Sequence, residues 1–194
     1  MVKKSQQTRE EWLNTLIVEF SNEFKAEGIK LPKYRVTCGF PSSRGLSSKL
    51  RTVGECWYPE ASSDKTTEII MSITEDAPMR VAGVVLHEMI HATLGRGFGH
   101  GKEFRKIALA CGLVGKMTAT EEGAEFIKRA TPILEKIGVY NHGKLDPKVG
   151  TKKQSTRMKK HQCLDEDCGS IWYASRKWQP DYCPVCSGTY IDQG

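Results

Sequence analysis

The strongest constraint on how this chain can fold is a pentapeptide, His87-Glu88-Met89-Ile90-His91, which lies within an apolar segment. Histidines four residues apart lie one above the other on the same face of an α-helix, so their imidazole nitrogens can converge on one metal ion. Glu88 is adjacent to the first histidine and can reach a water held by that ion. The pattern therefore predicts a helix that carries two zinc ligands and a general base.

The residues around the pentapeptide predict that this helix is buried. The apolar positions are Val81, Val84, Val85, Leu86, Ile90 and Leu94. An alternative is that His87 and His91 are core histidines with hydrogen-bond partners, beside a solvated glutamate. That alternative leaves ionisable groups buried without compensation, which costs free energy, so we favour metal binding.

A catalytic zinc site of this type needs a third ligand, either His or Glu. The candidates are His100, Glu103, Glu121, Glu122 and His142. We favour His100, because it follows a glycine-rich turn that allows the backbone to reverse toward the metal. Glu103 is the main rival, since it would lie at the start of the next helix within reach of the same ion. It is also explained as an acid favoured by the helix dipole.

The length and composition fit one domain of ordinary size with a small appendage. The chain has 194 residues, of which 39% are hydrophobic, enough for a core. No apolar run is long enough to cross a membrane, and the polar start from Met1 to Glu11 is unlike a signal peptide. We therefore expect an intracellular protein with no membrane partner, nuclear in a eukaryote and cytoplasmic or nucleoid-associated otherwise. Its cysteines are then metal ligands or buried thiols.

Hydrophobic periodicity predicts an α+β fold for the first part of the chain, residues 1–143. Thr8 and Glu11 have the spacing of a capping box, and apolar residues recur at helical period from there to Gly28. Alternation of apolar and polar residues then predicts three short strands, which we expect to form an antiparallel sheet. Their bounds are 34–38, 54–58 and 69–73.

Three further helices are predicted after the strands. Asp76 caps the metal-binding helix, which has Pro78 in its first turn and ends at the glycines that follow the pentapeptide. The next helix spans residues 104–111. The last spans Glu121 to Ile137, and Pro132 kinks or splits it.

The C-terminal segment, residues 161–194, contains two pairs of cysteines that predict a four-cysteine zinc ribbon. The pairs are Cys163 with Cys168 and Cys183 with Cys186. So short a segment cannot bury enough surface to fold alone, so the metal supplies its folding free energy. The first pair is more widely spaced than usual, which leaves His161 as an alternative ligand.

Residues 144–160 form a basic linker between the two parts, with seven basic residues and one acidic residue. Cations beside the aromatic residues of the ribbon favour a nucleic-acid-binding role, in which the linker contacts phosphates and the aromatic rings stack on unpaired bases. The residues predicted to bind are Lys152, Lys153, Arg157, Lys159, Lys160, Trp172 and Trp178. A solvated tether and a nuclear-localisation signal are the alternatives.

Three sets of residues together resemble the SprT-like family of zinc metalloproteases, whose eukaryotic member is Spartan. They are His-Glu-Met-Ile-His-Ala from His87, Gly99-His100-Gly101 with Glu103-Phe104, and Gly54-Glu55-Cys56-Trp57 ahead of Glu68-Ile69-Ile70. The last set is similar to the strand pair before that family's metal helix, and a C-terminal zinc ribbon is common among its bacterial and viral members. The resemblance covers most of the chain and implies a small zincin-like metalloprotease domain.

The resemblance also implies DNA-stimulated proteolysis. In the best-understood members of the family, the substrates are proteins crosslinked to DNA. It implies that His87, His91 and His100 bind the catalytic zinc and that Glu88 is the catalytic base. We therefore expect a zinc-dependent endopeptidase with two Zn²⁺ per chain, one catalytic and one structural. Its expected partners are DNA, single-stranded or at a junction of single and double strands, and protein substrates held on DNA.

The main alternative is a non-catalytic nucleic-acid-binding protein, whose ribbon binds while the first zinc only stabilises the fold. Glu88 discriminates between the two functions, because a structural zinc site usually takes four protein ligands and has no need of an adjacent carboxylate. A zinc hydrolase that acts on some non-peptide bond is a third possibility.

Overall fold

The structure is a computed structural model that describes residues 7–47, 50–149, 158–175 and 180–192. The chain divides into two compact units, Met1–Pro147 and Lys148–Gly194. The described part of the first unit contains four α-helices and two small sheets, and that of the second contains a three-stranded sheet. The predicted α+β class is confirmed. Among the described helices, none has the length and apolar character needed to cross a membrane.

The first helix, α1 (Arg9–Glu23), begins at the predicted capping box. Thr8 Oγ1 accepts a hydrogen bond from the backbone N–H of Glu11 at 3.1 Å, and the Glu11 carboxylate accepts one from the N–H of Thr8 at 2.7 Å. Two N–H groups at the helix start thereby gain partners. The buried face consists of Trp12, Leu13, Leu16, Ile17 and Phe20. A short 3-10 helix, Lys25–Glu27, follows.

The first sheet has three strands, β1 (Tyr34–Gly39), β2 (Gly54–Trp57) and β3 (Thr67–Ser72), in the order β1-β3-β2. β3 pairs antiparallel with β2 but parallel with β1, so the sheet is mixed and the expected all-antiparallel pairing is wrong. Alternation has a period of two in both kinds of strand, so it carries no information on direction. Because β3 is the central strand, β1 and β2 form the opposite edges of the sheet. A 3-10 helix, Pro59–Ala61, joins β2 to β3.

The predicted metal-binding helix, α2 (Pro78–Leu94), packs against this sheet and is buried from Val81 through Ile90. Its N-cap is Ala77, which offers no side-chain hydrogen bond, so the predicted cap by Asp76 is wrong. The Asp76 carboxylate instead accepts a hydrogen bond from the backbone N–H of Lys144 at 3.4 Å. Pro78 is the first residue of the helix and has no N–H, so one fewer N–H group at the helix start needs an acceptor.

A β-hairpin that the sequence analysis missed lies between the last two helices. Glu121 and Glu122 belong to its second strand, so the prediction that the last helix begins at Glu121 is wrong. Its short strands are rich in Gly, Glu and Ala, which are poor strand formers, so the segment carries little strand signal. The last helix continues through Pro132 without splitting. These elements are α3 (Lys102–Ala110), β4 (Leu113–Lys116), β5 (Ala119–Glu122) and α4 (Ala124–Ile137).

The core of the first unit lies where α1, α2 and α4 meet. Phe24 packs against two other aromatic rings, with centroid distances of 5.3 Å to Phe20 and 6.2 Å to Phe126. The Arg129 guanidinium lies 4.3 Å from the centroid of the Phe24 ring and binds the Glu27 carboxylate at 2.6 Å. These contacts hold together α1 and α4, which both pack against α2.

The second unit has its own small antiparallel sheet, in the order β7-β6-β8. Its strands are β6 (Lys159–Cys163), β7 (Ile171–Ala174) and β8 (Tyr190–Asp192). The His161 ring stacks on Trp172 at 5.8 Å and meets the edge of Tyr190 at 5.1 Å, forming a core of three aromatic rings. So small a core needs additional stabilisation, which a bound metal would supply.

Candidate active site

Three histidines of the first unit converge through their Nε2 atoms. His100 Nε2 lies 3.1 Å from His87 Nε2 and 3.1 Å from His91 Nε2, and the three ligand atoms all lie within 4.8 Å of one another. Two nitrogens bound to one zinc ion at about 2.05 Å and the tetrahedral angle lie about 3.3 Å apart. The observed separations therefore fit three ligands of a single zinc ion.

The protonation state of the histidines also fits metal binding. Burial, with the neighbouring His91 and His100, lowers the pKa of His87 to about 3. Burial and then His100 lower the pKa of His91 to about 4, and burial lowers the pKa of His100 as well. All three rings are therefore neutral near pH 7, which is the form that binds a metal.

The glycine-rich turn after α2 returns the chain to the metal site, as predicted. Gly95, Gly97 and Gly99 have φ of +80°, +102° and +50°, a region that L side chains rarely adopt. The buried Phe104, on α3, then packs against the histidine at the end of this turn and against the two histidines on α2. Its ring centroid lies 4.7 Å from that of His87, 4.5 Å from that of His91 and 5.0 Å from that of His100. One apolar side chain on α3 thus supports all three imidazoles.

Thr120, on β5, supports the first histidine from the opposite side. The Nδ1 atom of His87 lies 2.9 Å from Thr120 Oγ1, and Thr120 is only 4% exposed. If Nε2 binds a zinc ion, Nδ1 carries the ring proton and donates a hydrogen bond to the hydroxyl. Such a hydrogen bond fixes the tautomer and the ring orientation of a metal-bound histidine.

Glu88 is buried beside the histidines, with 6% of its surface exposed. Burial, with a smaller contribution from Glu55, raises the pKa of Glu88 to about 8. A divalent cation held by the histidines would oppose this shift. Space for the carboxylate comes from Gly54 on β2, where a Cβ atom would lie 2.5 Å from Glu88 Oε1 and 2.6 Å from Val84 Cγ1.

The histidines and Glu88 line one cleft of about 640 Å³. Its floor is α2, one wall consists of β2 with the segment before it, and the other wall is the β4–β5 hairpin. Arg80 ties this hairpin to α2, because its guanidinium donates to Thr120 O and to the Glu122 carboxylate, both at 2.8 Å. Gly83 allows the close approach, since a Cβ atom there would lie 2.1 Å from Glu122 Oε1.

The other candidates for the third ligand lie apart from this group. The histidine cluster found among the described residues contains neither Glu103 nor Glu121, and both of these side chains are exposed. Glu122 is paired with Arg80, and the His142 ring contacts Tyr140 at a centroid distance of 5.2 Å. His100 is therefore the third member of the group.

The four cysteines of the second unit form another candidate metal site. Cys163, Cys168, Cys183 and Cys186 present sulfur atoms that all lie within 4.8 Å of one another. The Sγ atoms of Cys163 and Cys186 are 3.4 Å apart, and those of Cys168 and Cys183 are 3.9 Å apart. His161 is outside this group, because its ring belongs to the aromatic core. Four sulfur ligands that converge in this way fit structural zinc.

The residues predicted to contact nucleic acid are only partly within the described residues. Lys152, Lys153, Arg157 and Trp178 lie outside them. Lys159 and Lys160 lie in β6 and not in a linker, and both are half-buried. Trp172 packs against His161 and Tyr190, which leaves its ring only partly accessible. The more exposed aromatic rings of the described part of this unit are Tyr173 and Tyr182, at 60% and 63%.

Sequence reasoning missed several residues that shape the site: Gly54, Gly83, Arg80 and Thr120. Thr120 is far from the pentapeptide along the chain, in a hairpin that carried no clear strand signal. Gly54 stood in a predicted strand, where an isolated glycine indicates that another group approaches the backbone closely. That signal was available for Gly54, whereas nothing in the sequence pointed to Thr120 or Arg80.

Of the comparisons with known proteins, the one with protein families agrees with this geometry. A search of curated proteins finds no match to the chain. A sequence model of the SprT-like family matches residues 14–123, which is more than half of the chain and extends from α1 through β5. The matched region contains the three histidines, Glu88, Gly54 and Thr120. The chain belongs to the SprT-like family, and its first unit carries a domain of the zinc metalloprotease type.

Proposed function

We propose that this protein is a zinc-dependent endopeptidase that DNA stimulates and that acts on proteins bound or crosslinked to DNA. The observation that carries the peptidase part is the placement of Glu88. A buried carboxylate next to three converging imidazoles, in a cleft open to solvent, provides both a metal site with room for a further ligand and a proton acceptor.

His87, His91 and His100 would hold the zinc ion, which supplies Lewis acidity toward a peptide carbonyl and lowers the pKa of a nearby water. The Glu88 carboxylate accepts the proton of the attacking water and passes it to the leaving amine nitrogen. Its position on α2, one residue from His87, keeps it at a fixed distance from the ligands. The hydrogen bond from His87 to Thr120 keeps the first imidazole in its tautomer during these transfers.

The peptide substrate binds in the cleft as an extended chain beside β2. β2 is an edge strand, because it pairs only with β3 among the described strands, and its residues Gly54 and Cys56 line the cleft. An edge strand presents unpaired N–H and C=O groups that an added strand can use. Gly54 brings the backbone of that edge next to Glu88.

DNA stimulation is supported by the charge and aromatic content of the second unit. The basic segment 144–160 precedes the zinc ribbon, and Tyr173 and Tyr182 expose large aromatic surfaces. Cations that contact phosphates and aromatic rings that stack on bases are the usual components of a single-strand binding surface. DNA bound there would bring proteins held on the same DNA to the peptidase.

The test compares the wild type with Glu88→Gln in cleavage of a DNA-bound protein, with and without DNA, while zinc per chain is counted. We expect two zinc ions in both proteins, and cleavage that DNA stimulates in the wild type alone. Glu103→Gln is the matched control, because it removes an exposed carboxylate close by on α3 and should keep both zinc and activity. Equal activity of Glu88→Gln and the wild type would refute the peptidase mechanism. Zinc without cleavage in any protein would favour a non-catalytic DNA-binding role.

A further inference from the structure

The cleft around the histidines carries an excess of positive charge. Among the described residues that line it, Arg44, Arg51, Arg80 and Lys116 are cationic, and Glu88 is the one carboxylate. Arg80 is neutralised by its ion pair with Glu122. The ion pairs found within the described part of the chain include none of the other three cations. These three, Arg44, Arg51 and Lys116, are called the cleft cations below.

The cleft cations stand on both walls of the cleft. Arg44 and Arg51 belong to residues 40–53, which join β1 to β2, and Lys116 is the last residue of β4. An extended peptide that lies between these walls over α2 therefore has positive charge on either side. The remaining lining includes apolar residues, among them Leu50, Val53 and Val84, so it contributes no negative charge to offset the cations.

The segment that carries Arg44 and Arg51 is fastened to the strand that lines the cleft. The Glu55 carboxylate on β2 accepts hydrogen bonds from both the backbone N–H and the hydroxyl of Ser42, the former at 2.9 Å. Gly45 permits a tight turn next to Arg44, since a Cβ atom there would lie 2.5 Å from Pro41 O. The Arg51 Nε–H donates to Ser47 O at 3.1 Å. These contacts hold the two arginines on the wall of the cleft.

We infer that the cleft selects peptide segments that carry acidic side chains close to the scissile bond, with the cleft cations as the residues that determine this specificity. The inference rests on the proposed peptidase function, because it concerns the peptide that occupies the same cleft. Glutamate or aspartate on the substrate would pair with cations that form no ion pair among the described residues. A substrate segment rich in lysine or arginine would meet charges of its own sign.

An acidic peptide suits this cleft better than a nucleic acid does. A peptide must enter the cleft for the chemistry at Glu88 to occur, whereas DNA can bind elsewhere. Phosphates along a strand form a continuous line of charge and need a continuous basic groove. Here the cations are few, and apolar side chains such as Leu50 and Val53 also line the cleft. Mixed apolar and cationic walls match a peptide with both apolar and acidic side chains.

The experiment measures binding in the Glu88→Gln variant of the full chain loaded with zinc, so that bound peptide is not cleaved. Fluorescent peptides of one sequence carry Glu, Gln or Lys at three positions around a neutral dipeptide. The cleft variant combines Arg44→Gln, Arg51→Gln and Lys116→Gln. The matched control combines Lys25→Gln, Lys106→Gln and Lys128→Gln, which removes the same charge from exposed sites that do not line the cleft. Zinc content and thermal unfolding confirm that both variants fold.

We expect the Glu peptide to bind about tenfold more tightly than the Gln peptide, since each partly exposed pair contributes roughly a factor of two to three. The Lys peptide should bind more weakly than both. The preference should fall to about twofold or less in the cleft variant, persist in the control and decrease with added salt. The zinc ion is present in every variant, so its own attraction for carboxylates cancels in the comparison.

Equal binding of the three peptides, or a preference for Glu that survives in the cleft variant, would overturn the inference. A third result would also overturn it: single-stranded DNA displaces the peptides, this DNA binds more weakly to the cleft variant, and the Glu and Gln peptides bind equally well. Cleavage by the protein with native Glu88 is measured separately on the same peptides. A binding preference without any cleavage would refute the peptidase function and leave the selectivity of the cleft established.

Discussion

Thr120 supports the histidine site from a distant part of the sequence, and Thr120→Val tests how much that support contributes. Valine has nearly the shape of threonine, so the packing of this buried side chain is kept while the hydroxyl is lost. The Nδ1–H of His87 then loses its partner at 2.9 Å. Because this nitrogen lies beneath the hairpin, water does not readily replace the hydroxyl.

Two considerations give the size of the effect. A buried N–H without an acceptor costs about 1–3 kcal/mol, which is a factor of roughly 5 to 150 in an equilibrium constant. Loss of the outer hydrogen-bond partner of a metal-bound histidine typically weakens metal binding about 10- to 100-fold. We therefore expect Thr120→Val to raise the Kd of the histidine site for zinc about 10- to 100-fold.

Zinc affinity is measured by competition with a chelator, and the four-cysteine site serves as an internal control. Cobalt substitution distinguishes the two sites, because thiolate ligands give intense charge-transfer absorption that a three-histidine site lacks. Thr120→Ser keeps the hydroxyl and should bind nearly as tightly as the wild type. Unchanged zinc affinity in Thr120→Val, or equal weakening in Thr120→Ser, would show that the hydroxyl does not support His87.

Three other predictions concern Glu88, the histidines and the ribbon. Gly54→Ala places a methyl group 2.5 Å from Glu88 Oε1. We therefore expect the cleavage rate to fall about 10- to 100-fold while the zinc content stays unchanged. A Gly54→Ala enzyme with full kcat would contradict this. Without zinc, the free energy of unfolding should decrease as the pH falls from about 6.5 toward 4, because the unfolded chain binds protons at its histidines while burial holds the pKa of His87 near 3. His87 alone accounts for a decrease of about 2 kcal/mol by pH 5. Denaturant unfolding of the wild type and of His87→Asn, both treated with a chelator, measures this difference. Cys183→Ser should remove the zinc of the second unit alone, and a loss of both ions would show that the two sites depend on each other.

The metal helix could be predicted from the sequence because its signals are local. The pentapeptide, the apolar residues around it and the glycines after it all act within a few turns of one helix, and α2 and the turn to His100 follow from them. The capping box of α1 is local in the same sense. In each case the spacing of neighbouring residues determines which side chains meet, so no knowledge of the tertiary structure is needed.

The direction of β1 and the hairpin that carries Thr120 could not be predicted, because both depend on contacts between distant residues. β1 pairs with β3 in a parallel register that brings Tyr34 opposite Thr67, and nothing in the alternation of either strand selects that direction. The hairpin is stabilised by α2, through the pair of Arg80 with Glu122 and the close approach at Gly83, more than by its own strand propensity. The support of His87 by Thr120 is therefore a property of the tertiary structure.

The placement of polar residues on α2 explains how one helix can belong to the hydrophobic core and also line the cleft. The residues of α2 that line the cleft recur at helical spacing and so form one stripe: Arg80, Val84, His87, Glu88 and His91. The remaining faces carry apolar residues into the core of the first unit, so the helix is held by packing on most of its circumference. His87, Glu88 and His91 are thus fixed by the core, whereas His100 comes from an exposed turn outside the helix. Any adjustment of the site to a metal or a peptide would therefore fall on the turn that carries His100, because displacing His87, Glu88 or His91 would require the buried helix to move.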